Sequence, residues 1–319
     1  MYNIEQYIAH CIKSCVNQLG VSSEDYEILI INDGSTDDSL KIAEQAIKNS
    51  PNASIITRPN GGLSAARNTG IKYATGNYLW FVDGDDAIDS NAIRILLSHI
   101  DNSHCDAYII NFSVFDNTGK ISTSQLNGVD SICSGLDYHF KYKRILQMMA
   151  WLTIYNAKVL VNNEILFTPN IFHEDLEFSI RAHHVSSTIL FLEEDLYFYR
   201  VSRNDSIMNN TRKDNTKSLV SQVKIIESFK NFFKDTNNAF VRKLYGMCAT
   251  SFFIRRYDTA FVHNENTYNL LRTYKYSLYR DMWLSYEWKR MLLLLVIILF
   301  PSFLIKPILK RIGERSKLM

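Results

Sequence analysis

The first third of the chain alternates short apolar segments with longer amphipathic ones, and this alternation constrains the fold more than any other feature. We expect strands at four apolar runs, which are 26–31, 53–57, 77–82 and 106–112. We expect helices at the segments between them, which are 4–19, 37–48, 63–74 and 91–100. This order predicts an α/β fold with a mixed, mostly parallel sheet and helices on both faces. Functional residues are expected at the carboxyl ends of the strands, where such sheets bind ligands.

Composition limits the size of the fold and the class of partner. A chain of 319 residues that is 46% hydrophobic can form one large domain plus an appendage. A net charge of +2 is too small to indicate a nucleic-acid partner. The five cysteines contain no C-x-x-C pair, so neither a disulfide framework nor a zinc site is indicated. With no signal peptide in the first residues, we expect a cytoplasmic protein.

Three carboxylates, Asp83, Asp85 and Asp86, directly follow an apolar strand in WFVDGDDAID (80–89). Like charges at the end of a buried strand are costly unless a cation or hydrogen-bond donors neutralise them. Mn²⁺ or Mg²⁺ suits this task because it takes oxygen ligands and keeps positions for phosphate oxygens. The D-x-D spacing also lets two carboxylates emerge on one side of the chain. The segment therefore favours a divalent-metal site, with an acidic turn of no function as the alternative.

Two further segments place polar residues at strand ends. In IINDGSTDDS (30–39), Asp33 follows a predicted strand, where its carboxylate can accept hydrogen bonds from a nucleobase or ribose. In NGGLSAARNTGI (60–71), paired glycines permit close backbone approach, and Arg67 in the following helix can reach a phosphate. Neither G-x-G-x-x-G nor a Walker lysine is present, which argues against a dinucleotide-binding loop or a P-loop. Each segment taken alone could also be a turn before a capped helix.

Together, IINDGSTDDS, RPNGGLSAARNTGI and WFVDGDD resemble the nucleotide-sugar-binding half of family 2 glycosyltransferases with the Rossmann-like GT-A fold. MAWLTIYNAKVL (149–160) and FHEDLEFSIRA (172–182) resemble the acceptor-side segment of that family. YFYRVSRNDSIM (197–208) resembles its Tyr-Arg and Ser-Ile-Met block. The resemblance covers 1–210, which we expect to form the catalytic domain. It implies a metal-dependent enzyme that transfers a sugar from a nucleotide diphosphate donor to an acceptor hydroxyl.

The resemblance also implies roles for the donor-side residues. Asp33 would hold the nucleobase, and Asp83 would hold the ribose or the metal. Asp85 would be the principal ligand of Mn²⁺ or Mg²⁺, with Asp86 as a supporting carboxylate. Arg67 would position the donor diphosphate. The favoured donor is a UDP-sugar.

On the acceptor side, Glu174-Asp175 resembles the family's Glu-Asp pair, in which the aspartate is usually the base. Arg200 or Arg203 would also contact the donor diphosphate. One base without a carboxylate nucleophile implies inversion at the anomeric carbon. Without the resemblance, the acidic pair would be interpreted as a helical first turn favoured by the dipole. Thr153 departs from the family, which commonly has lysine two residues after the tryptophan.

The carboxyl-terminal third has a different character. We expect a helical appendage at 211–280, with helices at 217–234 and 239–259 whose aromatic residues form a packing face. In the tail at 281–319, the uncharged run 291–305 spans ~22 Å at ~1.5 Å per residue, short of a ~30 Å bilayer core. Basic residues flank it, so we predict a monotopic anchor at the cytoplasmic face of the inner membrane. A buried core helix or a transmembrane span is the alternative.

The beginning of the chain raises one more expectation. Family members usually open with an apolar strand before a Pro-x-Tyr-Asn turn, and MYNIEQYI (1–8) resembles the segment that comes after that strand. We therefore expect the first strand to be missing, which would leave a gap between the strands at 26–31 and 77–82.

The expected acceptor is a lipid-linked glycan of a cell-surface polysaccharide. Two other classes of function stay open. One is an inactive sugar-nucleotide-binding or assembly subunit with a defective amino terminus. The other is a nucleotidyltransferase or dehydrogenase on a similar sheet, against which the absence of its glycine-rich loops counts.

Overall fold

A computed structural model describes most of the first two thirds of the chain. The described residues are 1–116, 121–124, 132–135, 148–201 and 215–234. The chain divides into two compact units. The first unit holds Met1–Asn170 and Glu174–Asn204, and the second holds Ile171–His173 and Asp205–Met319. The predicted site residues belong to the first unit.

The described part of the first unit contains six α-helices. They are α1 (Ile8–Val16), α2 (Ser39–Ile47), α3 (Leu63–Tyr73), α4 (Ala92–Ser103), α5 (Ala157–Asn162) and α6 (Glu174–Val185). Helices α1 to α4 lie at the four predicted segments. Their apolar positions explain the packing, because Ile8 and Ile12 of α1 join Ile30 and Ala43 in one buried cluster. A short 3-10 helix at Ala150–Leu152 precedes the strand of the acceptor-side segment.

In the described part of the chain, eight strands form two sheets. They are β1 (Ile28–Asn32), β2 (Ala53–Thr57), β3 (Tyr78–Trp80), β4 (Ala87–Ile88), β5 (Ala107–Phe115), β6 (Ile121–Ser124), β7 (Thr153–Asn156) and β8 (Ile189–Arg200). Strands β1 and β2 pair in parallel. The other six form a mixed sheet in the order β3-β7-β5-β8-β4, with β6 paired to β5. The centre of this sheet is β5, whose first seven residues are all buried, as its continuous apolar sequence predicts.

The predicted α/β class and the first four predicted strands are confirmed. The sheet is mixed, as expected, but parallel pairing is less common than the alternation of strands and helices indicates. Among the described pairs, β1–β2 and β5–β8 are parallel, whereas β3–β7, β4–β8, β5–β6 and β5–β7 are antiparallel. Two of the antiparallel pairs result from the insertion of β7 between β3 and β5. That strand comes from a distant part of the chain, so local periodicity cannot reveal its position.

Strands β1 and β3 lie in different sheets. Within the described residues, β1 pairs with β2 and β3 pairs with β7, and they do not pair with each other. Beside the carboxyl end of β1 lies Met1, whose α-amino group donates to Ile31 O at 2.6 Å. Its carbonyl oxygen accepts from Asp33 N at 2.9 Å. The expectation of a missing first strand stays a prediction.

In the second unit, α7 spans Asn215–Phe232 and overlaps the predicted helix at 217–234. Phe229 and Phe233 are buried with ring centroids 5.9 Å apart, as a packing face requires. The predicted helix at 239–259 and the tail at 281–319 lie outside the described residues. Within the described ranges, no helix has the length and apolarity that a bilayer crossing requires.

Candidate active site

The carboxylates of WFVDGDD lie between β3 and β4, in a tight turn from Asp83 to Asp86 that is here called the carboxylate turn. Asp86 N donates to Asp83 O at 3.0 Å and closes the turn. Asp83 N donates to the hydroxyl oxygen of Tyr197 at 3.1 Å. Arg200 Nε donates to Asp85 O at 2.8 Å. Because Tyr197 and Arg200 both belong to β8, the carboxyl end of that strand fixes the backbone of the turn.

Gly84, the middle residue of the D-x-D motif, has a steric reason to be glycine. A Cβ at this position would lie 2.5 Å from Ile4 Cδ1 and 3.4 Å from Ile8 Cδ1. The backbone of the carboxylate turn therefore packs against the first residues of the chain. The side chains of Asp83 and Asp85 remain partly exposed, in contrast to the buried Asp86.

Asp86 has a different environment from the other two carboxylates of the turn. Its Oδ2 accepts from the Tyr197 hydroxyl at 2.6 Å, and its Oδ1 accepts from Arg200 N at 2.8 Å. Burial, together with the charges of Asp83 and Asp85, raises the pKa of Asp86 to about 8. The role of Asp86 as a supporting metal carboxylate stays a prediction. Its full burial contrasts with the partial exposure of Asp83 and Asp85.

Arg67 lies buried on α3 and joins the donor-side and acceptor-side carboxylates. Its Nη2 lies 2.8 Å from Asp83 Oδ1, and its Nη1 lies 3.1 Å from Glu174 Oε1. Its guanidinium carbon is 5.2 Å from the ring centroid of Phe167. Burial lowers the pKa of Arg67, but Asp83, Glu174 and Asp175 outweigh burial and raise it. In this structure Arg67 is a counter-ion for carboxylates, and its contact with a donor diphosphate stays a prediction.

Glu174 and Asp175 begin α6, and Asp175 Oδ1 accepts from Leu176 N at 2.8 Å. Burial, with the neighbouring Asp175 charge adding to it, raises the pKa of Glu174 to about 7. Burial also raises the pKa of Asp175, although the charge of Arg67 opposes the shift. A carboxylate whose pKa is raised toward neutrality is suited to accept a proton at physiological pH. The pair can therefore supply a general base.

Asp33, at the end of β1, is buried and organises the loop that follows β2. Its carboxylate accepts from Gly61 N at 3.1 Å and Gly62 N at 2.7 Å, and it pairs with the guanidinium of Arg58. A Cβ on Gly61 would lie 2.6 Å from Arg58 Nη2, so a larger residue there would displace the guanidinium that pairs with Asp33. Contact of Asp33 with a nucleobase stays a prediction. We missed Arg58 in the sequence, although an arginine directly after a predicted strand was a usable signal.

Arg200 contacts the carboxylate turn from β8. Its guanidinium carbon lies 4.3 Å from the ring centroid of Phe115 and 5.1 Å from that of Tyr7. These contacts, with the bond to Asp85 O, place its side chain at the predicted donor edge. Donor binding by Arg200 stays a prediction, and Arg203 lies outside the described residues.

The structure brings several predicted residues together. Arg67 connects Asp83 to Glu174 through contacts of 2.8 and 3.1 Å. The α-amino group of Met1 has its pKa lowered by burial, while the charges of Asp33 and Asp83 oppose the shift. Both carboxylates are therefore near this amino group.

Like Arg58, Tyr197 was missed by sequence reasoning, although it begins the quoted YFYR segment.

The residues of the carboxylate turn fit a divalent cation that takes its other ligands from the phosphates of the donor. Among the described residues, no group of three or more His, Cys, Asp and Glu side chains could hold a metal alone. Mn²⁺ or Mg²⁺ at a nucleotide site needs fewer protein ligands, because one or two carboxylates and the phosphates complete its shell. Asp83 and Asp85, both partly exposed on one turn, match that requirement.

Thr153, where the family commonly has lysine, is buried in β7. Its hydroxyl pairs with Nε2 of His183 at 3.1 Å. Burial lowers the pKa of His183 to about 3, so the imidazole is neutral at physiological pH. The threonine therefore belongs to the core of the first unit.

Comparison with known proteins identifies the family. The family model described as Glycosyl transferase family 2 matches residues 1–159. The uncharacterized glycosyltransferase EpsJ of Bacillus subtilis is 31% identical over 213 residues, which cover 64% of this chain and 60% of EpsJ. The chain thus matches less than two thirds of the length of that relative.

Comparison with solved structures identifies the fold. S. aureus TarS 1-349 in complex with UDP-GlcNAc has a TM-score of 0.75 at 21% identity, covering 99% of this chain and 89% of TarS. Mannosyltransferase PcManGT from Pyrobaculum calidifontis, in complex with GDP-Man and Mn²⁺, has a TM-score of 0.51 at 12% identity, covering 94% of this chain and 85% of PcManGT. The predicted GT-A fold is confirmed. The family match includes Asp33, Arg67 and the whole carboxylate turn, and the chain belongs to glycosyl transferase family 2.

Proposed function

We propose that this chain is an inverting, metal-dependent glycosyltransferase that moves a sugar from a UDP-sugar to a hydroxyl of a lipid-linked cell-surface glycan. One observation carries the proposal. Arg67 contacts Asp83 of the donor side at 2.8 Å and Glu174 of the acceptor side at 3.1 Å. This contact supports the proposal because it brings Glu174, the neighbour of the proposed base Asp175, to the same guanidinium as the donor-side Asp83.

The donor side is assigned to the carboxylate turn. Asp83 and Asp85 would hold Mn²⁺ or Mg²⁺, which supplies positive charge to the diphosphate leaving group when it is bound. The complexes of TarS with UDP-GlcNAc and of PcManGT with GDP-Man and Mn²⁺ support a nucleotide-sugar donor and a divalent cation. Asp33, with Arg58 beside it, would contact the nucleoside.

The acceptor side is assigned to the start of α6. Asp175 Oδ1 accepts from Leu176 N, so we assign Oδ2 to take the proton of the acceptor hydroxyl. As that proton leaves, the acceptor oxygen bonds to the anomeric carbon, and the carbon–oxygen bond to the diphosphate breaks. The nucleoside diphosphate departs with the bonding electron pair. A single displacement of this kind inverts the anomeric configuration.

The test compares two isosteric variants under the same conditions. Asp175→Asn should reduce transfer by roughly 10²-fold or more while donor affinity stays near wild type, because only the base is lost. Asp85→Asn should weaken binding of the cation and the donor together. Asp106→Asn, whose side chain accepts from Ser187 N and Thr188 N, serves as the control. Product configuration is determined by NMR. Transfer by Asp175→Asn at the wild-type rate would contradict the assignment of the base.

A second measurement separates an enzyme from a binding subunit. The wild-type chain is titrated with UDP-, GDP- and dTDP-sugars with and without Mn²⁺, and nucleoside diphosphate release is measured in parallel. Release with a matching donor and acceptor supports the enzyme. Donor binding without release under all conditions supports the inactive subunit.

We also propose that the tail at 281–319 attaches the protein to the cytoplasmic face of the inner membrane. The support is the apolar run at 291–305 and its basic flanks. Truncation after Asp281 should move the protein from the membrane fraction to the soluble fraction. An unchanged distribution would contradict the anchor.

A further inference from the structure

The hydroxyl of Tyr197 connects the two ends of the carboxylate turn. It donates to Asp86 Oδ2 at 2.6 Å and accepts from Asp83 N at 3.1 Å. A phenol has one proton and can also accept hydrogen bonds. Donation to the carboxylate therefore orients the hydroxyl and leaves its oxygen lone pairs available to the Asp83 amide.

The ring that carries this hydroxyl has little freedom. Tyr197 is fully buried, and its ring stacks on Trp151 at 4.3 Å with an interplanar angle of 7°. Trp80 Nε1 in turn donates to Trp151 O at 2.8 Å. The aromatic stack restricts the ring of Tyr197 and thereby fixes the position of its phenol oxygen. Its position determines where the Asp83 backbone can lie.

Asp86 completes the connection from the turn to β8. Its Oδ1 accepts from Arg200 N at 2.8 Å, and its own N–H donates to Asp83 O at 3.0 Å. The side chain is fully buried. Because this side chain is fully buried against the phenol and the Arg200 amide, it orients its neighbours, whereas the partly exposed Asp83 and Asp85 are open to a cation from solvent.

We propose that Tyr197 and Asp86 are positioning residues, which hold the backbone of the carboxylate turn so that Asp83 and Asp85 face a shared cation. This inference rests on the proposed function for the identity of that cation. It assigns Asp86 outside the ligand set. Loss of a partner that orients a ligand typically lowers metal affinity by roughly 10- to 100-fold.

The decisive variant is Tyr197→Phe, which keeps the ring stack and removes only the hydroxyl. Tyr108→Phe is a matched control, since Tyr108 is also buried in the same sheet. Its hydroxyl accepts from Cys105 N at 2.9 Å and pairs with Ser103 Oγ at 3.0 Å. Both variants lose one phenol that bonds a backbone amide and a side-chain oxygen. They differ in whether that amide belongs to the carboxylate turn.

Two measurements are made on the full chain. Amide hydrogen exchange should accelerate in peptides that cover the carboxylate turn for Tyr197→Phe, and near Cys105 for Tyr108→Phe. Mn²⁺ affinity in the presence of UDP, measured by the paramagnetic resonance of free Mn²⁺, should fall by roughly 10-fold or more only in Tyr197→Phe. Unchanged exchange in the turn would overturn the inference. So would equal Mn²⁺ affinities of the two variants.

Asp86→Asn provides an independent route if Tyr197→Phe is too unstable to measure. It should also accelerate exchange in the turn. The double variant should bind Mn²⁺ about as well as the weaker single variant, because both changes break one connection. Multiplying effects would instead make Asp86 a separate ligand and overturn the inference. If the wild-type chain binds no Mn²⁺ with UDP, the metal dependence in the proposed function fails, while the exchange data still decide the role of Tyr197.

Discussion

The donor-side turn and the acceptor-side pair both present closely spaced carboxylates, but they are held in different ways. In the carboxylate turn, the hydrogen bond of Asp83 N to the Tyr197 hydroxyl and that of Arg200 to Asp85 O fix the backbone on which Asp83 and Asp85 lie. At the start of α6, Glu174 instead pairs with the buried charge of Arg67. The donor side is thus organised by backbone hydrogen bonds, and the acceptor side is organised mainly by charge.

This difference matches the two chemical tasks that we propose. A cation site needs fixed oxygen positions, which backbone hydrogen bonds provide at little cost in side-chain charge. A general base needs a pKa near the working pH, which burial provides when one opposite charge limits the shift. Arg67 is the point of contact between the two arrangements because it also touches Asp83.

The largest expected effect results from removing that contact. Arg67→Met leaves Asp83 and Glu174 without their counter-ion and should lower the free energy of unfolding by about 3–5 kcal/mol at pH 8. The loss should be smaller at pH 6, where Glu174 can take a proton. The acid limb of kcat/KM should also move to higher pH, since the charge of Arg67 lowers the pKa of Asp175. Urea unfolding and pH–rate profiles measure both effects.

Arg181→Met is the matched control for that prediction. Arg181 Nε pairs with the buried Glu177 at 2.7 Å within α6, so this variant also leaves a buried carboxylate without its counter-ion. It should lose comparable stability but keep the wild-type pH–rate profile. If both variants shift the profile equally, Arg67 has no specific role at the acceptor side.

A smaller effect is expected on the donor side alone. Gly84→Ala places a methyl group 2.5 Å from Ile4 Cδ1 and should cost about 1–3 kcal/mol, because either the isoleucine or the turn must move. Cation and donor affinity should fall with stability, whereas the pH–rate profile should not change. Gly70→Ala is the control, as its nearest neighbour would be Ile31 Cγ1 at 4.0 Å. Calorimetric melting measures the stability, and donor titration measures the affinity. Equal stability and equal donor affinity of the two variants would contradict the prediction.

The sequence predicted what depends on local pattern. The four strands and four helices of the first third result from hydrophobic periodicity, and the position of the carboxylate turn results from where β3 ends. The contacts that give the residues their roles are long-range. Tyr197 and Asp86 are 111 positions apart, and Arg67 and Glu174 are 107 apart. A carboxylate that will be buried under β8 has the same local sequence signal as one that will face solvent, so Asp86 was grouped with Asp83 and Asp85.

The smallest predicted effect concerns the pH dependence of stability on the acceptor side. Burial raises the pKa of Glu174 from 4.5 to about 7, with Asp175 adding to the shift and Arg67 opposing it. The folded protein therefore binds more protons than the unfolded chain between these values, so this contribution to stability is complete below about 4.5 and is lost as the pH rises through about 7. In EDTA, the Tm of the wild-type protein should fall over this range more steeply than that of Glu174→Gln, which cannot titrate. Glu44→Gln, on the exposed face of α2, should follow the wild-type curve. Parallel curves for wild type and Glu174→Gln would contradict the raised pKa of Glu174, and with it the inference that burial outweighs the charge of Arg67 at this side chain.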